Sequence, residues 1–160
     1  NNFGNLCQRV FSFIEKNCDG KLPNPNSLQN EDKELLNNLV NKMPELISHM
    51  NDQDLNSYIK KVIDFSFNGN KYFNDLQPWT LKKNNIERMN TILFTIVSHI
   101  KNISILLSPI IPISSNKILD IMNLKQNKRN ISAINSNDVF DHTLKFKKST
   151  ILFKKIDNDN

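Results

Sequence analysis

The sequence predicts an all-α fold, an antiparallel bundle of four to five helices followed by an extended C-terminal tail. Apolar residues recur every three or four positions over four long stretches, which is the spacing of one buried helical face. Proline, glycine and asparagine separate these stretches and indicate short connections. Long amphipathic helices with short connections bury their apolar stripes most simply against one another, in a bundle.

The first predicted helix covers residues 1–17 and has two distinct stripes. Its apolar stripe consists of Phe3, Leu6, Val10, Phe13 and Ile14, and its polar stripe consists of Asn2, Asn5, Arg9, Ser12 and Lys16. Glycine and proline in segment 19–25 end this helix and predict a loop.

The second and third predicted helices run over about residues 30–50 and 52–74. Pro44 lies inside the second helix and should kink or split it, because proline has no backbone N–H to donate. In the third helix, Ser66 and Gly69 continue the apolar stripe. Such small residues predict that a neighbouring helix approaches closely there.

The segment Gln77-Pro78-Trp79 interrupts the helical pattern, and a fourth helix is predicted at about 84–107. Asn84 or Asn85 is expected to cap its N-terminus. This helix has the most regular apolar stripe in the chain, and Pro109 ends it.

A short fifth helix is expected to begin after Pro112, capped by Ser114 or Ser115, and to run to about Leu124. Residues 125–138 are polar and have no periodicity. Thr143 to Ile156 alternates roughly between lysine and apolar residues, which predicts an extended tail. We therefore divide the chain into a bundle at 1–124 and a linker and tail at 125–160, which packs on the bundle or on a further domain.

Composition allows one domain with a substantial core, because the chain has 160 residues of which 38% are hydrophobic. The formal net charge is +5, from 21 Lys and Arg against 16 Asp and Glu. Such an excess fits a nucleic-acid partner without requiring one.

Cellular location is expected to be the cytoplasm. Cys7 and Cys18 lie about three turns apart, too far to bridge, and are interpreted as free thiols of a reducing compartment. No signal peptide is apparent, and no apolar run is long enough to cross a membrane, since serine and proline interrupt Ile103–Ile113. The chain begins inside a helical pattern without a Met, so we expect a longer protein.

Motifs for catalysis or metal binding are missing from the sequence. Its three glycines form no phosphate-binding loop. His49, His99 and His142 stand on separate segments with no second histidine or cysteine one turn away. The pair Asp52 and Asp54 is interpreted as belonging to a helix start rather than to an acid–base site.

Three residues could contact a single-stranded RNA loop. Asn5 and Arg9 are four positions apart and project side by side, offering an amide and a rigid donor fork. Trp79 follows a proline at a helix break, where its ring could present a face to an unstacked base. The alternatives are a solvated helix face for Asn5 and Arg9, and a core position for Trp79.

Five segments resemble the anticodon-binding domain of methionyl-tRNA synthetases, which are class I aminoacyl-tRNA synthetases. They are Gly4–Arg9 (GNLCQR), Asn70–Phe73 (NKYF), Gln77–Lys83 (QPWTLKK), Arg88–Leu93 (RMNTIL) and Ile105–Pro112 (ILLSPIIP). The tail segment Leu152–Asp157 (LFKKID) resembles the closing segment of bacterial members.

This resemblance implies that Asn5 and Arg9 hydrogen-bond the bases and backbone of the CAU anticodon of methionine tRNA, and that Trp79 stacks on a base. The full enzyme would be a methionine–tRNA ligase that uses ATP. ATP, magnesium and zinc, if present, would belong to a catalytic domain whose signatures are absent here, so this segment should be inactive alone. Its expected partners are methionine tRNA and that catalytic domain.

Two alternative functions remain open from the sequence. The first is the anticodon-binding domain of a sister class I synthetase, for isoleucine, valine, leucine or cysteine, since these have related helical bundles. The second is a helical protein-interaction module that docks a partner through the apolar stretch Ile103–Ile113.

Overall fold

The fold is a bundle of six α-helices in a computed structural model that describes residues 2–136 and 138–148. The helices are α1 (Asn2–Asn17), α2 (Asn30–Asn41), α3 (Met43–Asn51), α4 (Leu55–Leu76), α5 (Ile86–Leu107) and α6 (Pro112–Ile121). Short 3-10 turns lie at Pro78–Thr80, Gln126–Lys128 and Ile131–Ala133. No strand occurs among the described residues, and the predicted all-α class is confirmed.

Helix α5 is the centre of the bundle and contacts α1, α2, α4 and α6. Every residue from Thr91 to Leu106 is buried, so this helix has no solvent-facing stripe over that length. Contacts between α4 and α5 join Tyr58 to Leu106 and Phe65 to His99, which means that the two helices run antiparallel.

The expectation that no segment is long and apolar enough to cross a membrane was wrong. By length and composition α5 passes that test, with a mean hydropathy of 1.3 over its most apolar window. The serine, threonine, asparagine and lysine residues inside the helix are too few to lower the average below that of a membrane span. Because 89% of that window is buried inside the bundle, α5 has the character of a core helix.

The predicted second helix is split rather than kinked. It ends at Asn41, and α3 begins at Met43 with Pro44 in its first turn, where the missing N–H costs nothing. The Asp54 carboxylate accepts a hydrogen bond from the Ser57 N–H at 3.2 Å and caps α4, which agrees with its interpretation as a helix-start residue.

The predicted cap of α5 is Asn85, whose side chain accepts from the Arg88 N–H at 3.2 Å. The predicted start of α6 was wrong. The helix begins at Pro112 rather than after it, and both Ser114 and Ser115 are buried within the helix. Proline suits the first helical turn, so Pro112 opens α6 instead of extending the preceding break.

Close approach of α1, α4 and α5 occurs at Gly69, as the small residues in α4 predicted. A Cβ added at Gly69 would lie 2.9 Å from Leu6 Cδ2 and 3.1 Å from His99 Cδ2. On one side of this contact, the Asn2 amide donates to Ser66 Oγ at 3.1 Å. On the other side Arg9 contacts Phe73, so α1 and α4 run in the same direction.

A buried ionic group ties α2 to α4 and α5. The Asp32 carboxylate accepts two hydrogen bonds from the Arg88 guanidinium, at 2.6 and 3.1 Å, and one from the Tyr72 hydroxyl. It also accepts from the Gln29 N–H at 2.8 Å at the start of α2. Burial, together with the hydrogen bond to Asp32, raises the pKa of Tyr72. Each partner of this carboxylate comes from a different segment of the chain.

Residues 139–148 lie across the ends of α1 and α6. The Phe146 N–H donates to the Gly20 carbonyl at 2.7 Å, and the Lys147 N–H donates to the Ile121 carbonyl at 3.0 Å. The Phe146 ring meets Phe11 edge-on at 5.6 Å. Most of the predicted tail, including the segment Leu152–Asp157, lies outside the described residues.

Gly69→Ala should destabilise the bundle. Alanine forms helix better than glycine by about 1 kcal/mol, but overpacking a tight core costs roughly 1–3 kcal/mol. We expect a net loss of about 1 kcal/mol in the free energy of unfolding, measured by urea denaturation. Asp64→Ala, at an exposed position of the same helix, is the control and should change it by less than about 0.5 kcal/mol. A stabilised Gly69→Ala variant would contradict the close approach.

Stability should fall in acid through His99. Burial lowers the pKa of the His99 imidazole to about 4, although its Nε2 donates to the Phe65 carbonyl at 2.7 Å. In the unfolded chain the pKa is about 6.5, so the unfolded state binds the extra proton between these values. The free energy of unfolding that neutral His99 contributes is therefore fully present above pH ~6.5. It decreases by as much as about 3 kcal/mol as the pH falls to ~4.

Chemical denaturation over this pH range measures the effect, and His99→Leu is the matched variant because it removes the titrating group. The difference in unfolding free energy between the two proteins isolates His99 from the carboxylates that titrate in the same range. A parallel pH dependence in both proteins would show that His99 does not titrate as its burial requires.

Candidate nucleic-acid interface

Asn5 and Arg9 lie on the exposed face of α1, one turn apart. The Arg9 guanidinium donates through Nη2 to Asn74 Oδ1 at 2.7 Å, which fixes one edge of its donor fork against α4. The Asn5 amide has no hydrogen-bond partner in the part of the chain that the structure describes, so all of its donors and acceptors face solvent.

Trp79 is held at the surface by the backbone before it. Gln77 adopts a left-handed conformation, with φ 46° and ψ 60°, and ends α4. Pro78 is buried and opens the 3-10 turn, which the Thr80 and Leu81 N–H groups close by donating to the Gln77 and Pro78 carbonyls. With 44% of its surface exposed, Trp79 is not a core residue.

Phe73 brings Arg9 and Trp79 to one site. The Arg9 Cζ atom lies 5.2 Å from the centroid of the Phe73 ring, in cation–π contact. The Trp79 ring meets the same ring edge-on, with centroids 5.6 Å apart and planes at 66°. Phe73 itself is 2% exposed. From the sequence alone Phe73 had no predicted role in the site, because periodicity indicates burial and not which side chains cover a buried ring.

A groove runs from Arg9 along α1 to its C-terminus. Its lining consists of Arg9, Ser12, Phe13, Lys16, Asn17, Phe73 and Trp79. We call this the α1–Trp79 groove. It has two cations and three aromatic rings in its lining and no carboxylate. Asn5 lies one turn beyond its Arg9 end and does not line it. Arg9 and Trp79 therefore meet at Phe73, whereas Asn5 is connected to them only through α1.

The loop after Trp79 is attached to the far end of the groove. Lys82 Nζ donates to Asn17 Oδ1 at 2.9 Å, and the Asn17 amide donates to the Phe13 carbonyl at 3.0 Å. This contact joins the segment that carries Trp79 to the C-terminal turn of α1. Trp79 is therefore positioned from both sides, by Pro78 before it and by Lys82 after it.

The arrangement suits binding through stacking, hydrogen bonding and charge. An exposed indole face offers a stacking surface for a base, and a guanidinium and an amide offer donors for base edges and phosphates. Among residues 2–136 and 138–148, no three His, Cys, Asp or Glu side chains come together in a manner that could hold a metal ion. The histidines remain apart, as the sequence predicted: His49 lies near Glu45, His99 is in the core, and His142 packs on Phe94.

Lys101 is a buried cation that sequence reasoning did not single out. Its ammonium group donates to the carbonyls of Ala133 and Ser136, at 2.6 and 2.9 Å, and burial lowers its pKa to about 8. It holds the turn at Ile131–Ala133 against α5. A lysine in the middle of an apolar helix was the only signal that could have indicated this role.

Known proteins are similar to this chain in sequence and in fold. A family model described as the anticodon binding domain of methionyl tRNA ligase matches residues 22–160. A methionine–tRNA ligase of Brucella suis is 33% identical over 134 residues, which cover 84% of this chain and 26% of the relative. A methionine–tRNA ligase of Rickettsia felis is 32% identical over 142 residues, covering 81% of this chain and 26% of the relative.

Solved structures agree with the sequence relatives. The apo crystal structure of Mycobacterium tuberculosis methionyl-tRNA synthetase superposes with a TM-score of 0.86 and 28% identity, over 94% of this chain and 31% of that chain. The structure of the same enzyme in complex with methionyl-adenylate gives a TM-score of 0.87 at 28% identity, over 96% of this chain and 30% of that chain. This chain thus spans about a quarter of the length of its curated relatives. By its sequence match and by its fold, the chain belongs to the family of methionyl-tRNA synthetase anticodon-binding domains.

Proposed function

We propose that this chain binds the CAU anticodon of methionine tRNA, with Asn5, Arg9 and Trp79 as the contacting residues. The observation that supports this most is the convergence of Arg9 and Trp79 on Phe73, which sets an exposed indole face beside a guanidinium. An aromatic plate and a donor fork at one place are what an unstacked base and its phosphate require. The family match, which covers residues 22–160 and so includes Trp79, supports anticodon binding.

The three residues have different roles in this proposal. Trp79 stacks on one anticodon base. Arg9 keeps Nη2 on Asn74 and uses its remaining N–H groups for the anticodon backbone or a base edge. Asn5 has its whole amide available, and an amide can donate to and accept from one base edge at once. Discrimination between bases would therefore come chiefly from Asn5 and Arg9, and sequence-tolerant affinity from Trp79.

The whole protein, in this proposal, is a cytoplasmic enzyme that activates methionine with ATP and transfers it to the 3′ end of the tRNA. ATP, magnesium and any zinc are bound by a catalytic part outside this chain. The helical bundle contributes position: it holds the anticodon loop so that the acceptor end reaches the catalytic part. The bundle alone catalyses nothing.

The two alternative functions have less support. The matching family and the relatives named above are methionine enzymes, which favours that specificity over the isoleucine, valine, leucine or cysteine synthetases. The interaction-module hypothesis needs an accessible apolar surface at Ile103–Ile113. Ile103, Ile105 and Leu106 are buried, and Ile113 is the only strongly exposed isoleucine of that stretch.

Trp79→Ala should weaken the binding of methionine tRNA by about 1–3 kcal/mol, the usual contribution of base–aromatic stacking. Aminoacylation falls accordingly, whereas activation of methionine without tRNA is unchanged. Trp79→Phe should retain part of the affinity because a smaller ring still stacks. Filter binding and thermal unfolding are measured on the same proteins. A loss of about 3–5 kcal/mol in stability with unchanged tRNA affinity would instead indicate a core tryptophan.

Arg9→Ala should weaken tRNA binding by about 1–3 kcal/mol, the scale of a good bidentate contact to a base. Because Arg9 is exposed, the melting temperature of the protein should barely change. Lys71→Ala is the control: Lys71 is an exposed cation of α4 that pairs with Asp75, so its loss should leave tRNA affinity unchanged. A sharp fall in stability at normal tRNA affinity would make Arg9 a structural residue.

A further inference from the structure

The α1–Trp79 groove carries more positive charge than Arg9 supplies. Lys16 lines the groove from the last turn of α1, and Lys82 reaches its end through the hydrogen bond to Asn17. Both lysines are exposed. Arg9 and Lys16 lie seven residues apart on α1, which is about 10 Å along the helix axis and too far for both to bind one phosphate.

Neither lysine is neutralised by a carboxylate among the described residues. The partner of Lys82 is the neutral amide of Asn17, which leaves the ammonium charge uncompensated. The two acidic residues nearest to Lys16 along the chain, Glu15 and Asp19, do not pair with either lysine. Asp19 pairs with Lys145 at 3.4 Å, and Glu15 projects about 100° around α1 from Lys16 and does not line the groove. Two unpaired cations beside aromatic rings form a positively charged surface that can bind a polyanion such as a nucleic-acid backbone.

We propose that Lys16 and Lys82 bind backbone phosphates of the anticodon loop, next to the nucleotide whose base stacks on Trp79. This inference rests on the proposed function and assigns two residues to it. The groove then has a division of labour along its length. Its Arg9 end contacts base and backbone, Trp79 contacts a base, and its Lys16 and Lys82 end contacts phosphates only, irrespective of base sequence.

Phosphate contacts differ from base contacts in how they respond to salt. Binding of a single-stranded backbone releases condensed counterions, and the slope of log affinity against log salt changes by about 0.7 for each phosphate neutralised. Loss of a phosphate contact also weakens all tRNA sequences by one common factor, whereas loss of a base contact weakens them unequally.

The test uses the full-length protein that carries this chain and two transcripts, methionine tRNA and the same tRNA with one anticodon base replaced. Binding is followed by fluorescence anisotropy over a series of potassium chloride concentrations. Lys16→Ala and Lys82→Ala should each lower the salt slope by about 0.7 and should weaken both transcripts by the same factor. Lys16→Arg, which keeps the charge, should retain the slope of the unmodified protein.

Lys60→Ala is the matched control. Lys60 is an exposed lysine of α4, thirteen residues before Phe73 and about 20 Å from it along the helix, so its loss should alter neither slope nor affinity. Trp79→Ala separates this inference from the proposed function, because it should weaken binding without changing the slope.

The phosphate contacts would be overturned if Lys16→Ala and Lys82→Ala had the same salt slope as Lys60→Ala. If Trp79→Ala still bound tRNA more weakly, anticodon binding would remain supported. A selective loss for one transcript would also overturn them, since it would indicate a base contact. Normal binding by Trp79→Ala and Arg9→Ala would remove the proposed function, and the phosphate assignment with it.

Discussion

The contact between Leu6 and Gly69 sets the distance between α1 and α4, and the candidate site depends on that distance. Because a Cβ at Gly69 would lie 2.9 Å from Leu6 Cδ2, the glycine lets the Leu6 side chain of α1 pack directly on the backbone of α4. One turn further along both helices, Arg9 meets Phe73 and Asn74. Since α1 and α4 run in the same direction, a displacement of α1 at the Gly69 contact would also displace Arg9 from Phe73. The core and the surface site are thus parts of one packing arrangement.

Buried polar groups connect the segments that apolar packing alone would leave free to slide. Asp32 accepts hydrogen bonds from Arg88 and Tyr72, and so fixes the start of α2 against α4 and α5. Lys101 does the same for the turn at Ile131–Ala133. Hydrogen bonds are directional, and a polar group left unpaired in a dry interior is costly, so these contacts specify one position along the helices. The apolar stripes therefore determine which faces meet, and these few polar contacts determine where along the helices they meet.

The helices, an interruption at Pro44 and the exposure of Asn5 and Arg9 followed from the sequence, because each depends on residues within a few turns of one another. The start of α6 did not, since proline both ends and opens helices and only the packing of Ser114 and Ser115 distinguishes the two. The periodicity of apolar residues could not predict the α1–Trp79 groove either. Phe73 lies more than sixty residues from Arg9, and no local pattern reports which buried ring a distant side chain will cover.

The segment at residues 139–148 is attached to the bundle by side-chain contacts, including those of Phe140 and His142 with Phe94, and also by its main chain. The N–H groups of Phe146 and Lys147 and the carbonyl of Lys145 make the hydrogen bonds, to Gly20, Ile121 and the Asn123 amide. Such bonds are the same for almost every amino acid, so Lys147 is free to change in evolution while Phe146, which packs edge-on against Phe11, and Lys145, which pairs with Asp19, are more constrained. Homologous chains should therefore keep the path of this segment more faithfully than its residues.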